Sequence, residues 1–145
     1  MNRLLGVPKD ADSYARKLGQ AMQIVNFIRD INEDRGLGRV YLPQQDLKKF
    51  GLQSENILNN PVQYEKEISE LIRFEVGRYY RYQEEAKKGY EYLPHRFKVA
   101  IKTASDMYNW TARKIEANPM IVFQKKVKPQ KRRVLVQGLY NLFLS

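Results

Sequence analysis

Residues 23–36 read Gln23-Ile24-Val25-Asn26-Phe27-Ile28-Arg29-Asp30-Ile31-Asn32-Glu33-Asp34-Arg35-Gly36. Apolar residues recur at helical spacing through this stretch and the residues before it, which predicts one helix. Three residues that favour helix N-caps precede it, namely Asp10, Asp12 and Ser13. We therefore expect a helix that starts there, runs to about Asp34 and stops at Gly36-Leu37-Gly38.

The predicted helix carries a polar stripe on a mostly apolar surface. At about 100° per residue, Gln23, Asp30 and Asp34 point within about 40° of one another, and Asn26 and Glu33 flank them. Apolar side chains cover most of the remaining surface: Tyr14, Leu18, Ala21, Ile24, Val25 and Ile28. A surface helix would show the opposite balance, so we expect a buried helix whose polar stripe faces an internal cavity.

The acidic residues of this stripe are in an unfavourable position unless a cation joins them. Asp30 and Asp34 are like charges at i,i+4, with Glu33 beside them, and all lie near the helix C-terminus, where the macrodipole disfavours anions. Hard oxygen ligands favour Mg²⁺, which bridges one or two carboxylates to a substrate phosphate. The alternative is a solvated helix end whose acids pair with Arg29 and Arg35. The apolar surroundings of the stripe favour the metal interpretation.

The rest of the chain also has helical patterns. Arg39 to Leu42 reads as extended because Leu42 precedes a proline. We expect further helices over residues 43–49, 54–58, 61–89 and 95–117, and a last one from about residue 129. No convincing strand pair is present, so the predicted fold class is all-α.

Composition excludes several functional classes. The 145 residues are 43% hydrophobic and 29% charged, which is ordinary for a globular protein. The chain has no Cys and one His, His95, so disulfides, thiolate metal sites, a cysteine nucleophile and histidine metal clusters are excluded. No run of 18 apolar residues and no secretory signal are found, which predicts a cytoplasmic protein.

A basic segment near the C-terminus carries much of the net charge of +10. It contains Lys125, Lys126, Lys128, Lys131, Arg132 and Arg133, and residues 121–145 contain no acid. Such a segment suits nucleic acid, an anionic membrane surface or a phosphorylated substrate. Nucleic-acid binding is disfavoured, because the segment lacks an aromatic platform, a zinc signature and a recognition-helix pattern.

The residues around the acidic stripe resemble the second aspartate-rich region of squalene and phytoene synthases. The resemblance rests on residues 14–43, which read Tyr14-Ala15-…-Leu18-Gly19-…-Ala21-Met22-Gln23-…-Asn26-…-Arg29-Asp30-…-Glu33-Asp34-…-Gly38-Arg39-Val40-Tyr41-Leu42-Pro43. It continues through Asp46-Leu47 and Phe50-Gly51, and later through Tyr108 and Ile115-Glu116-Ala117-Asn118. The chain is similar to the C-terminal half of such an enzyme, with the aspartate-rich motif at residues 23–43, and reads slightly closer to phytoene synthase.

This resemblance implies an all-α, isoprenoid-synthase-type helical bundle around a central cavity, which joins two prenyl diphosphates head to head. Asp30, Glu33 and Asp34 would hold Mg²⁺, and Gln23, Asn26 and Tyr108 would lie near the reacting carbons or the departing diphosphate. Contacts to the substrate diphosphate would come from Arg29, Arg39, Lys126 and Arg133. The physics fits, because a departing diphosphate needs its charge neutralised and a carbocation is stabilised by aromatic faces and polar oxygens.

Two departures from the family pattern bear on activity. The family's first Asp-x-x-x-Asp motif is missing, since Asp30/Asp34 is the only such pair in the sequence. The expected phosphate-binding lysine of the C-terminal segment is replaced by Val134, which leaves Lys126, Lys131 and Arg133 as candidates. We therefore expect one of two diphosphate clamps here, with an N-terminal half or partner chain carrying the other.

Three hypotheses remain from the sequence. The first is a prenyltransferase fragment or short gene product that makes phytoene from geranylgeranyl diphosphate. The second is a non-catalytic helical subunit that needs a partner chain to complete its cavity. The third is a basic helical nucleic-acid-binding module. Peripheral contact with a membrane fits the first two, because the substrates are apolar and the C-terminal segment is basic.

Overall fold

The computed structural model describes residues 11–144, and every regular element in that range is helical. The elements are α1 (Ala11–Arg29), α2 (Ile31–Gly36), α3 (Gln44–Lys49), α4 (Ser54–Asn59), α5 (Glu65–Lys87), a 3-10 helix (Lys88–Tyr92), α6 (His95–Ala117), α7 (Ile121–Gln124) and α8 (Lys131–Leu144). The all-α prediction is confirmed.

Most predicted helix limits agree with the structure, and the differences have local causes. Helix α6 has the predicted limits, because Pro94 precedes it and Asn118-Pro119 follows it. Helix α5 begins at Glu65 rather than at residue 61, because residues 61–64 form turns. Helix α7 was not predicted, since four residues are too few to show a period. The predicted start at Asp10 lies outside the described residues.

The predicted helix through Asp34 is interrupted at Asp30, whose backbone has φ −95° and ψ 6°. The hydrogen bonds nevertheless continue across the interruption. The N–H of Asp30 donates to the carbonyl of Asn26, and the N–H of Asp34 donates to the carbonyl of Asp30, each at 2.9 Å. The i→i−4 hydrogen-bond pattern of α1 therefore continues into α2.

The core lies between α1 and α5, and α6 packs against both. Fully buried apolar side chains come from all three helices: Ala21, Val25 and Ile28 from α1, Ile68, Leu71, Ile72, Val76 and Tyr79 from α5, and Ala112 and Ile115 from α6. Each large side chain of this set contributes about 1.5–3 kcal/mol by leaving water. This packing fixes the face of α1 that is left for the polar stripe.

The chain turns back after α2 at Gly38, as the Gly36-Leu37-Gly38 stop predicted. Gly38 has φ 69°, a left-handed conformation that glycine adopts at little cost. The turn lets the N–H of Arg39 donate to the carbonyl of Asp34 at 2.9 Å. Arg39 is thereby returned to the end of the acidic stripe.

Helix α8 turns the polar side chains of Gln137 and Asn141 toward α6 and leaves its large apolar side chains exposed. The amide of Asn141 is buried and donates to Thr103 Oγ1 at 3.2 Å and to Asp106 Oδ2 at 2.8 Å. The large apolar side chains of α8 are exposed: Val134, Leu135, Val136, Leu139, Tyr140, Leu142 and Phe143. No helix within residues 11–144 is long and apolar enough to cross a bilayer.

A buried ionic cluster joins α3 to α5 and was not predicted. Arg78 Nη1 donates to Asp46 Oδ2 at 2.8 Å and to both carboxyl oxygens of Glu75 at 3.1 Å. Glu75 is only 1% exposed, and this burial raises its pKa to about 7. The hydrogen bond from Arg78 lowers the pKa of Asp46. Below about pH 7, Glu75 therefore keeps its proton next to an ionised Asp46.

This cluster gives the fold a pH dependence that Glu75→Gln should remove. The folded-state pKa of Glu75 is raised above its ordinary value of 4.5, so its contribution is complete below that value and is lost as the pH rises through about 7. Between about pH 5 and pH 8, the stability of Glu75→Gln should rise relative to that of the unaltered chain by roughly 2–3 kcal/mol. Urea unfolding at both pH values measures this difference. Glu70→Gln, an exposed acid on the same helix, is the control, and a parallel pH profile for Glu75→Gln would contradict the assignment.

Candidate functional site

The acidic residues of the polar stripe lie where α1 gives way to α2, and Asp30 is held most firmly. Arg29 Nε donates to Asp30 Oδ1 at 2.9 Å, and Arg29 Nη2 donates to Asp30 Oδ2 at 2.7 Å. Pairing with Arg29 was part of the solvated-end alternative, and the structure contains it. Arg35 does not follow that alternative, because its Nε donates to the carbonyl of Leu58 at 2.7 Å.

A lysine from the other end of the chain joins the same acids. Lys126 follows α7, and its Nζ lies 3.2 Å from Asp30 Oδ1 and 2.8 Å from Glu33 Oε2. The side chain of Lys126 is 37% exposed and that of Glu33 is 59% exposed, whereas that of Asp30 is 23% exposed. The fold therefore brings Lys126, a candidate diphosphate ligand, to two of the acidic residues, although 93 positions separate it from Glu33.

The three carboxylates differ in how well their charge is compensated. The hydrogen bond from Arg29, followed by that from Lys126, lowers the pKa of Asp30 against the effect of burial. The pKa of Asp34 is raised by partial burial and by the negative charges of Asp30 and Glu33. Arg39 and Lys126 oppose that rise, but they do not cancel it. The cluster therefore still favours an additional cation at Asp34.

Asn26 and Tyr108 form a polar pair beside the cluster. The hydroxyl of Tyr108, on α6, donates to Asn26 Oδ1, on α1, at 3.2 Å. Asn26 is one helical turn before Asp30, so the pair lies one turn along α1 from the first of the acidic residues. The predicted proximity of these two residues is thus found, across 82 positions of sequence.

An apolar groove of about 400 Å³ continues along α1, away from the acidic cluster. It is lined by Ala11, Tyr14, Ala15, Leu18, Gly19 and Met22 of α1, by Ala86, Gly89, Tyr90 and Leu93, and by Ala100, Ile101 and Ala104 of α6. Met22 is one turn before Asn26, and Ala104 is one turn before Tyr108, so the polar pair stands at this end of the groove. The volume falls within the range of small-molecule sites.

The groove residues were not identified from the sequence, yet a signal for them exists. Ala11, Ala15 and Gly19 recur every four residues on α1, and Ala100 and Ala104 do so on α6. Small residues at i,i+4 on two neighbouring helices leave space between them. This spacing could have predicted a gap at the N-terminal half of α1.

The groove is closed on one side by a very tight approach of the 3-10 helix to α1. A Cβ atom placed on Gly89 would lie 2.4 Å from Tyr14 Cβ, a distance that two carbon atoms do not tolerate. Beyond this point the rings of Tyr14 and Tyr92 stack with centroids 6.0 Å apart. Only glycine fits at position 89 in this packing.

The other predicted site residues lie apart from the acidic centre or at its edge. Gln23 is exposed on α1, so in the described residues the stripe opens to solvent at this point instead of facing a closed cavity. Arg39 Nη1 donates to the hydroxyl of Tyr41 at 3.3 Å and lies close enough to influence Asp34. The guanidinium of Arg133 lies 5.3 Å from the centroid of the Trp110 ring.

The acidic residues do not by themselves form a complete metal cage. Within residues 11–144, no group of three or more His, Cys, Asp or Glu side chains is arranged to hold an ion alone. The donor set still suits Mg²⁺, because this ion keeps several waters and takes only one or two carboxylates alongside substrate phosphates. The arrangement therefore fits a cation that is shared with a phosphorylated ligand.

Comparison with known proteins finds sequence relatives of this chain. Residues 1–133 match the sequence model of squalene/phytoene synthase. A 15-cis-phytoene synthase of Synechocystis sp. is 34% identical over 109 residues, which cover 75% of this chain and 32% of the relative. The corresponding protein of Synechococcus elongatus is 30% identical over 119 residues, 82% of this chain and 38% of the relative. The chloroplastic phytoene synthase 1 of Solanum lycopersicum is 32% identical over 122 residues, 84% of this chain and 29% of the relative. The chain spans about a third of the length of the curated relatives it matches.

Proposed function

The chain belongs to the squalene/phytoene synthase family, and we propose that it supplies one metal–diphosphate clamp and one prenyl-binding groove of a prenyltransferase. The proposed reaction is the head-to-head condensation of two geranylgeranyl diphosphates to phytoene. Phytoene is preferred to squalene because the matched relatives are named phytoene synthases. The domain assignment, with residues 1–145 as the C-terminal half of such an enzyme, is part of this proposal.

One observation carries the proposal: an apolar groove and an acidic cluster lie along the same helix, with the Asn26–Tyr108 pair between them. A prenyl diphosphate has the same order of parts, namely an apolar tail, a reacting allylic carbon and an anionic head. The groove suits the tail, because its lining is almost entirely apolar. The cluster suits the head once a divalent cation offsets the acidic charges.

Asp30, Glu33 and Asp34 are the proposed ligands of a divalent cation, and Mg²⁺ is the ion that their hard oxygen atoms favour. When bound, the ion would offset the charge of a departing diphosphate. Arg29 and Lys126 lie beside Asp30, and Arg39 lies near Asp34, so these three side chains are the proposed contacts to phosphate oxygens. Arg133 is a more distant candidate, since it rests on Trp110.

The polar pair beside the groove is proposed to act on the reacting carbon. The Tyr108 hydroxyl and the Asn26 side-chain oxygen present dipoles between the groove and the acidic cluster, where positive charge would develop as diphosphate leaves. The Tyr108 ring adds an aromatic face that favours a cation. Gln23 is exposed on the same helix and would contribute only where further protein covers it.

The second diphosphate requires residues beyond those described. We propose that an N-terminal half or partner chain carries the family's first aspartate-rich motif. The outward apolar face of α8 and the basic segment before it are suited to such a partner or to peripheral contact with an anionic membrane. The cytoplasmic location stays a prediction, and the tomato relative is named chloroplastic.

The clamp is tested by ligand binding, which does not need the second half of the site. The chain should bind geranylgeranyl S-thiolodiphosphate, a slowly reacting analogue, in the presence of Mg²⁺, and affinity should fall by about 100-fold when EDTA replaces the metal. Calorimetry measures both values, with geranylgeraniol as the control that lacks the anionic head. Equal affinity with and without metal would overturn the proposal. Phytoene formation on addition of the N-terminal half of a cyanobacterial relative would support the full reaction.

A further inference from the structure

Lys126 occupies a specific position among the acidic residues. Its ammonium group lies 3.2 Å from Asp30 Oδ1, and 3.0 and 2.8 Å from the two carboxyl oxygens of Glu33. A positive charge therefore already stands between two of the three proposed metal ligands. These distances are ordinary for ammonium–carboxylate pairs, so the contact needs no further ion to be stable.

The remaining oxygen atoms of the cluster are not equally available. Arg29 donates to both oxygens of Asp30, at 2.9 and 2.7 Å, and Lys126 lies 3.2 Å from Oδ1, so the charge of that carboxylate is already compensated. Asp34 makes no ion pair within 4.0 Å in the described part of the chain, although Arg39 and Lys126 influence it from further away. A divalent cation that met the chain alone would find one open carboxylate and two that are already neutralised.

Lys126 is built so that it can leave this position. The side chains on either side of it in the sequence differ sharply, because Val127 is 5% exposed and anchors the segment, whereas Lys125 is exposed. The backbone is thus fixed near the acids, while the flexible four-carbon side chain of the lysine can change its conformation. A diphosphate that arrives at the cluster would offer the Lys126 ammonium group stronger hydrogen-bond acceptors than a shared carboxylate does.

We propose that Lys126 is a built-in counter-ion that holds Asp30 and Glu33 until metal and diphosphate arrive together, and that it then transfers to the diphosphate. The inference rests on the proposed function, since it concerns the same clamp. Its consequence is an order of binding: free metal binds weakly, and the metal–diphosphate complex binds well. The lysine thereby selects against occupation of the clamp by metal alone.

The test compares metal binding with and without a diphosphate in charge-matched variants. Free Mn²⁺ is measured by electron paramagnetic resonance, with inorganic pyrophosphate as the diphosphate. Without pyrophosphate, Lys126→Gln should bind Mn²⁺ about 10-fold more tightly than the unaltered chain, because a competing positive charge is gone. With pyrophosphate, the same variant should bind the Mn²⁺–pyrophosphate complex about 10-fold more weakly, because a phosphate contact is lost. Lys125→Gln removes the same charge one residue away and should change neither value.

Lys126→Gln should strengthen Mn²⁺ binding without pyrophosphate and weaken it with pyrophosphate, and these opposite changes distinguish a counter-ion from a purely structural residue. Unchanged or weaker Mn²⁺ binding by Lys126→Gln without pyrophosphate would overturn the proposal. Loss of binding in both conditions, together with a lower melting temperature, would show a structural role only. Lys126→Arg keeps the charge and should restore weak binding of free metal. Failure of the proposed function is a different result, namely no metal-dependent pyrophosphate binding by the unaltered chain.

Discussion

Asp30→Asn should weaken metal-dependent binding of geranylgeranyl S-thiolodiphosphate by at least about 100-fold, the largest functional effect that we expect from one substitution. The asparagine keeps the shape of the side chain but removes the charge that a divalent cation needs. It also leaves Arg29 and Lys126 without their shared anion, so the cluster becomes more positive. Binding of the analogue with Mg²⁺, measured by calorimetry, gives the result directly.

Without metal, Asp30→Asn should not weaken binding of the analogue. In EDTA, Asp30→Asn should bind the anionic analogue as well as the unaltered chain or better, because one repelling carboxylate is gone. The matched control is Glu70→Gln, which removes an exposed acid of α5 and should leave both affinities unchanged. If Asp30→Asn retained full metal-dependent affinity with native circular dichroism, Asp30 could not be a ligand of the clamp.

Gly89→Ala should destabilise the fold by about 2–3 kcal/mol, although it adds a single methyl group. That carbon would meet Tyr14 Cβ at 2.4 Å, and Tyr14 Cγ at 3.0 Å, so the 3-10 helix must move away from α1. Neither partner can yield easily, because a Cβ atom moves only with its backbone. The free energy of unfolding from urea denaturation measures the cost. Gly19→Ala lies in the interior of α1, where the added Cβ would meet no atom within 4 Å apart from its own stretch of helix, and it should instead stabilise by about 0.5–1 kcal/mol.

A double-mutant cycle identifies the atom responsible for the clash. Tyr14→Ala keeps the Cβ atom and should not reduce the destabilisation caused by Gly89→Ala. Tyr14→Gly removes that atom and should reduce the destabilisation by at least about 1 kcal/mol. Recovery by Tyr14→Ala of the same size would show that the ring, rather than the Cβ atom, is the obstacle. Because Tyr14 and Gly89 also line the apolar groove, Gly89→Ala should weaken analogue binding as well.

The elements that depend on local sequence were predictable. Helix α6 has the limits that Pro94 and Asn118-Pro119 indicate, and the chain turns at Gly38 as expected. The interruption at Asp30 was not expected, because the apolar period of residues 14–31 runs through it without a break. Likewise, the polar residues Ser105 and Thr111 are buried on α6, which an apolar pattern does not reveal. For the two buried residues, packing against neighbouring elements decides the outcome.

The candidate site was predictable as a list of residues but not as an arrangement. The resemblance named Asn26, Asp30 and Tyr108 together, and the fold brings Tyr108 to Asn26 across 82 positions. The contact of Lys126 with both Asp30 and Glu33 depends on how residues 118–130 cross the end of α1, which no helical period encodes. The buried Glu75 was missed for the same reason, since its partner Asp46 comes from another helix.

The continuous hydrogen bonds across Asp30 have a mechanical consequence. They hold the helix that carries Met22 at the groove and Asp30 at the cluster, and at 1.5 Å per residue these two positions are separated by about 12 Å. A ligand that is bound both in the groove and at the cluster cannot shift along the helix, because the distance between its two binding points is fixed. The fixed spacing then brings one stretch of the bound ligand, and no other, level with Asn26 and Tyr108.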